Sequence, residues 1–453
     1  MKTEEIKHRS KGDKENKRSS TLSSREKLPI YATSVGWASG RSSIFTFLSY
    51  YGVVLGASPL EQSILTSVRN LGSNLFQSIW GWLADLKGRK LVILIGLATL
   101  ALTVFLTPFV QSPTELVLIS LIMTSVGFSI IPAWNAFLGD YSSEKTRASF
   151  IGFVNSIGTW SSLILIILLG LVMDNSPFPF PSDISLYPNS KPVFFIPFIA
   201  GAIVFAITIV IAMFLREKYV AHKRAVIDGE ISHSWRILIG RNQPFKRLLP
   251  INSFFKFCMS MAWPIFPFVT LSVAQSWFQV AIMWAVFNIP RGFGQSIGGQ
   301  IADKYNKKVV LTFSRFGYAV VPLGYALGLI TGNVWFLILV NIPGGFAFGA
   351  EDTSIASYAL DCSSEETRAR YYSVLLTFEG IFAFAGSLFA GISMEFLLGI
   401  GGITYQHPDF QVVLFILLIF IAGLRLLSAS LHKFIYKNPL DFNLETYLNS
   451  SSQ

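Results

Sequence analysis

The sequence predicts an all-α membrane protein of twelve transmembrane helices in two pseudo-symmetric six-helix bundles. Three observations carry that expectation: a composition too apolar for a soluble chain, twelve apolar runs of bilayer length, and three motifs that recur in order in the two halves. Of 453 residues 52% are hydrophobic and only 14% charged, with a mean hydropathy of +0.52, far from soluble averages. Forty Phe and ten Trp fit a lipid-facing surface with interfacial aromatics. Cys258 and Cys362 are too few and too far apart for a disulfide framework or a metal site.

Residues 1–30 are polar, rich in Lys and Arg, and without an apolar core segment. They read as a disordered cytosolic tail rather than a cleavable signal. Runs near 31–56, 60–84, 91–111, 114–138, 149–173 and 192–215 then supply a first bundle over 31–215. Each approaches the roughly 20 residues a helix needs to cross hydrocarbon. They should be helices, because unpaired backbone groups are not tolerated in lipid and the runs lack the alternation of barrel strands. The charged segment 216–248 reads as a cytosolic linker. Six more runs, near 249–272, 275–301, 309–330, 334–360, 371–396 and 410–431, form a second bundle over 249–431, and 432–453 is a second cytosolic tail.

With odd-numbered runs starting inside, 29 of the 36 Lys and Arg fall in the tails and inner loops, six within runs, and Lys191 alone outside. The positive-inside rule therefore places both termini in the cytoplasm of a multi-pass protein of the cell membrane. The net charge of +10 is a topology signal, and no nucleic-acid partner is expected.

The second run ends in GWLADLKGRK and the eighth in GQIADKYNKK. Gly81, Asp85, Arg89 and Lys90 thus correspond to Gly299, Asp303, Lys307 and Lys308, while Gly88 gives way to Asn306. GDYSSEKTRAS after the fourth run returns as LDCSSEETRAR after the tenth, pairing Asp140 with Asp361. The fifth and eleventh runs end in GLVMD (Gly170 to Asp174) and GISME (Gly391 to Glu395). Three matches in one order and nearly one register identify parallel repeats.

A charged G-x-x-x-D-x-x-G-R-K loop after helix two, a degenerate copy after helix eight and a long central loop together resemble the major facilitator superfamily of secondary transporters. The resemblance covers about residues 31–435. It implies two bundles around a cavity that opens alternately to either side, with helices one, four, seven and ten lining it and two, five, eight and eleven beside them. It also implies a cytoplasmic gate motif of Gly81, Asp85, Gly88, Arg89 and Lys90, with Gly299, Asp303, Lys307 and Lys308 as its copy. In the family the loop Asp, here Asp85, contacts the start of helix eleven. An aspartate there meets the partial positive charge of a helix N-terminus, and Gly88 permits a left-handed turn. Two departures weigh against a drug–proton antiporter: Met123 stands where such exporters carry an arginine, and their G-x-x-x-G-P pattern is missing from helix five.

Ionisable residues inside a spanning helix are costly and mark candidate sites. Arg41, Lys256, Glu351, Asp352, Glu379 and Arg291 lie about 13 to 16 Å from the inner helix ends at 1.5 Å per residue; Arg69 lies further out. Asp352, Glu351 or Glu379 is a candidate proton carrier, with Lys256 or Arg291 as its countercharge; the alternative is a set of fixed ion pairs. Surplus positive charge favours a polar or anionic solute. Arg315 and Arg425, near inner ends, are expected to snorkel. Pro264, Pro267, Pro290 and Pro343 are expected to kink helices, and Gly294 to Gly298 and Gly345 to Gly349 to form small-residue contact faces.

The expected function is secondary active transport of a small solute by alternating access, coupled to protons, by a monomer. No Walker A pattern or histidine within a run suggests ATP drive or catalysis, and no metal or cofactor is expected. The alternatives are a drug or hydrophobic-compound exporter of the same fold, a non-transporting solute sensor, and a membrane enzyme acting on lipid.

Overall fold

In the computed structural model the described residues are 24–141, 147–217, 242–304, 306–362, 368–402 and 409–437. The side chains of Asp85 and Asp303 lie outside the described part, as do most of the N-terminal tail, the linker and the last residues. The described chain is helical throughout: α1 Ser24–Val54, α2 Pro59–Leu75, α3 Gln77–Lys87, α4 Arg89–Leu106, α5 Pro113–Ser125, α6 Ile130–Asp140, α7 Arg147–Asp174 and α8 Phe195–Met213, then α9 Gln243–Ser260, α10 Phe266–Val273, α11 Trp277–Lys304, α12 Lys307–Thr331, α13 Val334–Asp361, α14 Arg368–Gly401 and α15 Phe410–Ser430. No strand occurs among the described residues.

Local sequence explains the boundaries. Ser58 and Glu61 form a capping box at the start of α2, each side chain accepting the other's backbone N–H, with Pro59 at the first helical position. Ser112 caps α5 through Glu115 N–H, and Asn242 caps α9 through Phe245 N–H. Gly88 separates α3 from α4 at φ 101°, a conformation that disfavours any side chain. The seventh run breaks at Met261–Ile265, around Pro264 and before Pro267, whereas α11 and α13 continue through Pro290 and Pro343.

Among the described residues eight stretches are long and apolar enough to cross a membrane: Arg89–Phe109, Pro113–Asp140, Phe150–Asp174, Tyr187–Met213, Lys307–Thr331, Val334–Ala359, Val374–Gly401 and Phe410–Phe434. Their outward surfaces carry large apolar side chains, such as Ile203, Ile207 and Phe313, the last 73% exposed. Such faces need lipid or a partner to cover them. The other four expected runs fall on α1, α2–α3, α9–α10 and α11, and they carry Arg41, Arg69, Lys256 and Arg291. They turn polar groups inward and need less apolar surface.

Helices of the first half pack on one another, α1 on α7 and α8, α2 on α5, and α4 on α8; in the second half α11 and α12 pack on α13, α9 on α14 and α12 on α15. The principal contacts across the halves are α2 with α14 and α7 with α11. The small-residue faces meet as expected. A Cβ on Gly345 would come within 2.0 Å of the Phe287 carbonyl oxygen, and one on Gly294 within 2.1 Å of that of Phe346. Only glycine lets the α11 and α13 backbones approach so closely.

Candidate functional site

The end of the molecule where α1 begins is called proximal below, and the end where α1 meets α2 distal. At the proximal end the first two repeated motifs meet within each half. Arg89 pairs with Asp140 and donates to the Ala136 carbonyl, and at the equivalent positions Lys307 pairs with Asp361. Lys90 Nζ donates to Met213 O at the end of α8 (2.6 Å), and Lys308 Nζ to Lys433 O beyond α15 (2.7 Å). Both lysines thus satisfy unpaired carbonyls at a helix C-terminus. Where Gly88 uses a positive φ, Asn306 instead caps α12, accepting from Lys308 N–H at 2.8 Å. Gly81 and Gly299 face Pro132 and Thr353 at ordinary or slightly tight distances. The contact expected of Asp85 with helix eleven involves a side chain outside the described residues.

Midway along the second half the predicted charges form a closed network. Lys256 Nζ on α9 lies 3.4 Å from Glu351 on α13 and 3.5 Å from Glu379 on α14. Arg315 donates to Glu351 at 2.9 Å and to Asn252 Oδ1 at 2.5 Å, and Asn252 donates to Glu379 at 2.8 Å. Arg315 and Glu351 are 0% exposed, whereas the Glu379 side chain is 15% exposed. Beside this network Arg291 and Asp352 form a separate 2.9 Å pair with about a third of each side chain exposed.

Several expectations change here. Arg315 and Arg425 do not snorkel. Arg315 is held by Glu351, Asn252 and His432, and Arg425 is 1% exposed, donating to the carbonyls of Tyr318 (2.9 Å) and Met259 (2.5 Å). Satisfying guanidinium donors inside the protein replaces the need to reach water. His432, expected beyond the last run, is fully buried in a 3-10 turn that continues α15, and its Nδ1 lies 3.1 Å from Ser428 O.

The first half contributes cations alone. Arg69 donates to Ser49 Oγ at 3.0 Å and lies 4.7 Å over the Phe45 ring. Arg41 is exposed, one turn before Phe45 on the same face of α1, and within electrostatic range of Arg69 and Arg291. Neither arginine has a carboxylate within 4 Å among the described residues.

A cavity of about 350 Å³ opens between the halves. Phe45, Ser49, Tyr50, Arg69 and Asn70 form one wall; Trp263, Trp284, Phe287, Tyr318 and Phe348 are prominent in the other. Of the seven predicted interior residues only Arg69 lines it. Arg291 stands immediately behind, 4.3 Å over the Phe348 ring, and the Lys256–Glu351 network lies behind Tyr318 and Phe255. The lining departs from the expected helices: α12 and α15 contribute, while the fourth, fifth and eleventh runs do not. Trp263, in the break at Met261–Ile265, lines the space together with Tyr318, Tyr325 and Arg425.

At the distal end the third repeated motif does its work. Asp174, ending α7, accepts from the N–H groups of Trp277 (2.6 Å) and Phe278 (3.0 Å) at the start of α11. Glu395 on α14 accepts from Leu60 N–H at the start of α2, 3.3 Å away. Gly170 and Gly391, one turn before each acid, sit where a Cβ would come within 2.7 Å of Ala281 and 2.3 Å of Ser63. Each half therefore offers a glycine for close crossing and a carboxylate for the other half's exposed helix terminus. Trp277, 1% exposed, fills the space between with Phe47, Tyr50, Phe180 and Phe194 around it.

Comparison with known proteins agrees with this architecture. The family model described as Major Facilitator Superfamily matches residues 32–387 and 248–434. A multidrug resistance protein, MdtG, of Rahnella is 24% identical over 40% of this chain and 41% of its own length, and the Proteus mirabilis MdtG is 27% identical over 43% and 46%. An uncharacterised MFS-type transporter of Methanocaldococcus jannaschii is 32% identical over 26% of this chain and 29% of its own. The matches thus span less than half of those curated relatives. Among solved structures, the nucleoside transporter NupG superposes with a TM-score of 0.66 at 16% identity over 90% of this chain and 98% of its own. An inward-facing bacterial homologue of the lysosomal transporter Spinster gives 0.68 at 15% over 91% and 97%, and a D-xylose–proton symporter 0.66 at 10% over 91% and 97%. These structures share the fold. With the family model covering both halves, the repeated loop motif in place and a cavity between the halves, this chain belongs to the major facilitator superfamily.

Proposed function

We propose that the protein is a secondary active carrier that moves a small polar or anionic solute by alternating access, its twelve helices crossing the cell membrane as two six-helix bundles with both termini in the cytoplasm. The observation that carries this reading is the cavity between the halves, bounded distally by the paired Asp174 and Glu395 caps and holding the Arg69 guanidinium. The packing of each half on itself supports two bundles, and the basic inner loops support the orientation. With the distal caps made, the form described corresponds to one closed on that side. The carrier is proposed to act as a monomer.

Proton coupling is proposed to run through Glu379. Its carboxylate shares Lys256 with Glu351, and it is the more exposed of the two. Protonation would free Lys256 from α14 and change the α9–α14 contact, a differential interaction of the kind that shifts a two-state equilibrium. The gate motif is proposed to hold each half's inner loops in shape through Arg89–Asp140 and Lys307–Asp361, with Asp85 reaching helix eleven.

A reconstituted system with an imposed pH gradient tests this reading. Gradient-driven accumulation should be lost in Glu379→Gln while solute exchange at equal pH persists. Gradient-driven accumulation at wild-type rates in Glu379→Gln, Asp352→Asn and Glu351→Gln would overturn the coupling. A second reading, export of hydrophobic compounds, is favoured by the aromatic cavity wall and by relatives named multidrug resistance proteins. Efflux of hydrophobic cations in preference to anions would select it.

A further inference from the structure

From the charge and shape of the cavity we infer that the transported solute is a flat aromatic organic anion, of the aromatic carboxylate class, with its charged group at Arg69 and its ring among Phe45, Trp284 and Phe348. This inference rests on the carrier reading above and gives it a substrate class.

Charge pairing decides the sign. The three carboxylates inside the helices are each engaged by a cation: Glu351 by Lys256 and Arg315, Glu379 by Lys256, and Asp352 by Arg291. The cavity lining holds no acidic residue and two arginines, Arg69 and Arg425. Arg425 has already committed its donors to the carbonyls of Cys258, Tyr318 and Met259. Arg69 is different. Its bond to Ser49 and its place 4.7 Å over the Phe45 ring hold the guanidinium, and no carboxylate lies within 4 Å of it among the described residues. Arg41 adds to the same positive field, again without a carboxylate within 4 Å among the described residues, whereas Arg291 is answered by Asp352. A half-buried guanidinium without a countercharge is costly, and a carboxylate ligand lowers that cost through a bidentate, charge-assisted contact.

The rest of the lining decides the body. Around the single arginine with free donors the wall is mostly ring faces and edges, including Phe45, Trp263, Trp284, Phe287 and Phe348. Aromatic walls gain from offset or edge-to-face contact with another ring. Tyr318 lines the same space, and its buried hydroxyl has no hydrogen-bond partner among the described residues. A volume of about 350 Å³ falls at the lower end of the roughly 300–1,000 Å³ of small-molecule pockets, which suits one ring or two fused rings.

The purified protein in nanodiscs provides the test, with Trp263 and Trp284 as intrinsic fluorescence reporters at the site. The probes are 1-naphthoate, the neutral 1-naphthalenemethanol, the cationic 1-naphthylmethylamine and the aliphatic anion hexanoate. Naphthoate should bind at least about tenfold more tightly than the other three. Arg69→Gln should weaken it about tenfold, Arg69→Lys by less, and Phe45→Leu should weaken naphthoate but leave hexanoate unchanged. Equal binding of the neutral or cationic analogue by the wild type would overturn the inference whether or not the variants fold. So would unaltered naphthoate binding in folded Arg69→Gln. Counterflow of naphthoate in proteoliposomes separates the two claims. Selective binding without counterflow would keep the anion site and defeat the carrier reading, whereas counterflow of the cation in preference to the anion would keep the carrier and defeat the anion site.

Discussion

The distal caps make a quantitative prediction about the balance between the two access states. Replacing Asp174 with Asn removes the negative charge that meets the α11 N-terminus and leaves one carbonyl acceptor where two carboxylate oxygens now take the Trp277 and Phe278 N–H groups. A hydrogen bond to a charged group contributes about 1.5–3 kcal/mol when shielded, but Asp174 lies at an exposed rim. A carboxylate at an exposed helix N-terminus contributes only about 0.3–1 kcal/mol. A loss of about 1 kcal/mol follows, or about fivefold in the ratio of distally closed to distally open forms. Glu395→Gln touches one longer bond, at 3.3 Å, and should shift the ratio about twofold. The two caps share no partner, so the double variant should add to roughly tenfold. Spin labels at Gln111→Cys and Gln275→Cys, both exposed at the distal end, would report the populations once buried Cys258 and Cys362 are replaced by alanine. Asp183→Asn is the control. The Ser185 N–H holds that carboxylate below its usual range within its own loop, so it bridges no helices across the halves. An unchanged distance distribution in the double variant, or an equal change in the control, would refute the latch.

Other outcomes follow from the interior and the proximal loops. Lys256→Met leaves Glu351 and Glu379 sharing too little positive charge, and thermal unfolding should show a loss of about 3–5 kcal/mol that Lys256→Met/Glu379→Gln partly restores. If the double variant is no more stable than the single one, the carboxylate is not being stabilised by that lysine. Gly345→Val would drive a side chain into the Phe287 carbonyl; yield and monodispersity after detergent extraction should collapse, while Gly292→Val, facing open space, should be tolerated. A double-mutant cycle on Arg89 and Asp140 should give a coupling of about 1 kcal/mol, and the cycle on Lys307 and Asp361 about the same, since both pairs are partly buried. A coupling near zero in either would confine that pair to the surface class.

Much of the site was written in particular residues. The internal repeat anticipated that Arg89 and Lys307 hold equivalent places, and both indeed pair with the Asp of the second repeated motif. Lys256, Glu351 and Glu379 were picked out one by one as costly intramembrane charges. That they form one network with Arg315 and Asn252 was not legible: Arg315 sits on α12, Asn252 is an uncharged residue one turn before Lys256 on α9, and depth along one helix says nothing about azimuth relative to another. The expectation that Arg315 and Arg425 snorkel rests on their nearness to the inner ends of helices expected to be peripheral; it assumes a lipid-facing side chain and fails when protein carbonyls and carboxylates supply the partners. The GLVMD and GISME ends were visible as a repeat, but their use was not: a carboxylate that caps a helix is recognised only by the N-terminus it meets.

By itself the sequence determined what each helix is made of: apolar length, the clustering of basic residues in alternate loops, and the twofold repetition of loop chemistry. Those properties are local along the chain, set by hydrocarbon thickness and by the cost of charge in lipid. Tertiary structure alone decided which charges cancel. Lys256 is neutralised by two acids from α13 and α14, while Arg69 has no carboxylate within 4 Å among the described residues and keeps its charge for the cavity. Electrostatic pairing falls steeply with distance and depends on which faces meet, so the residue left with an unanswered charge emerges only once the helices are packed.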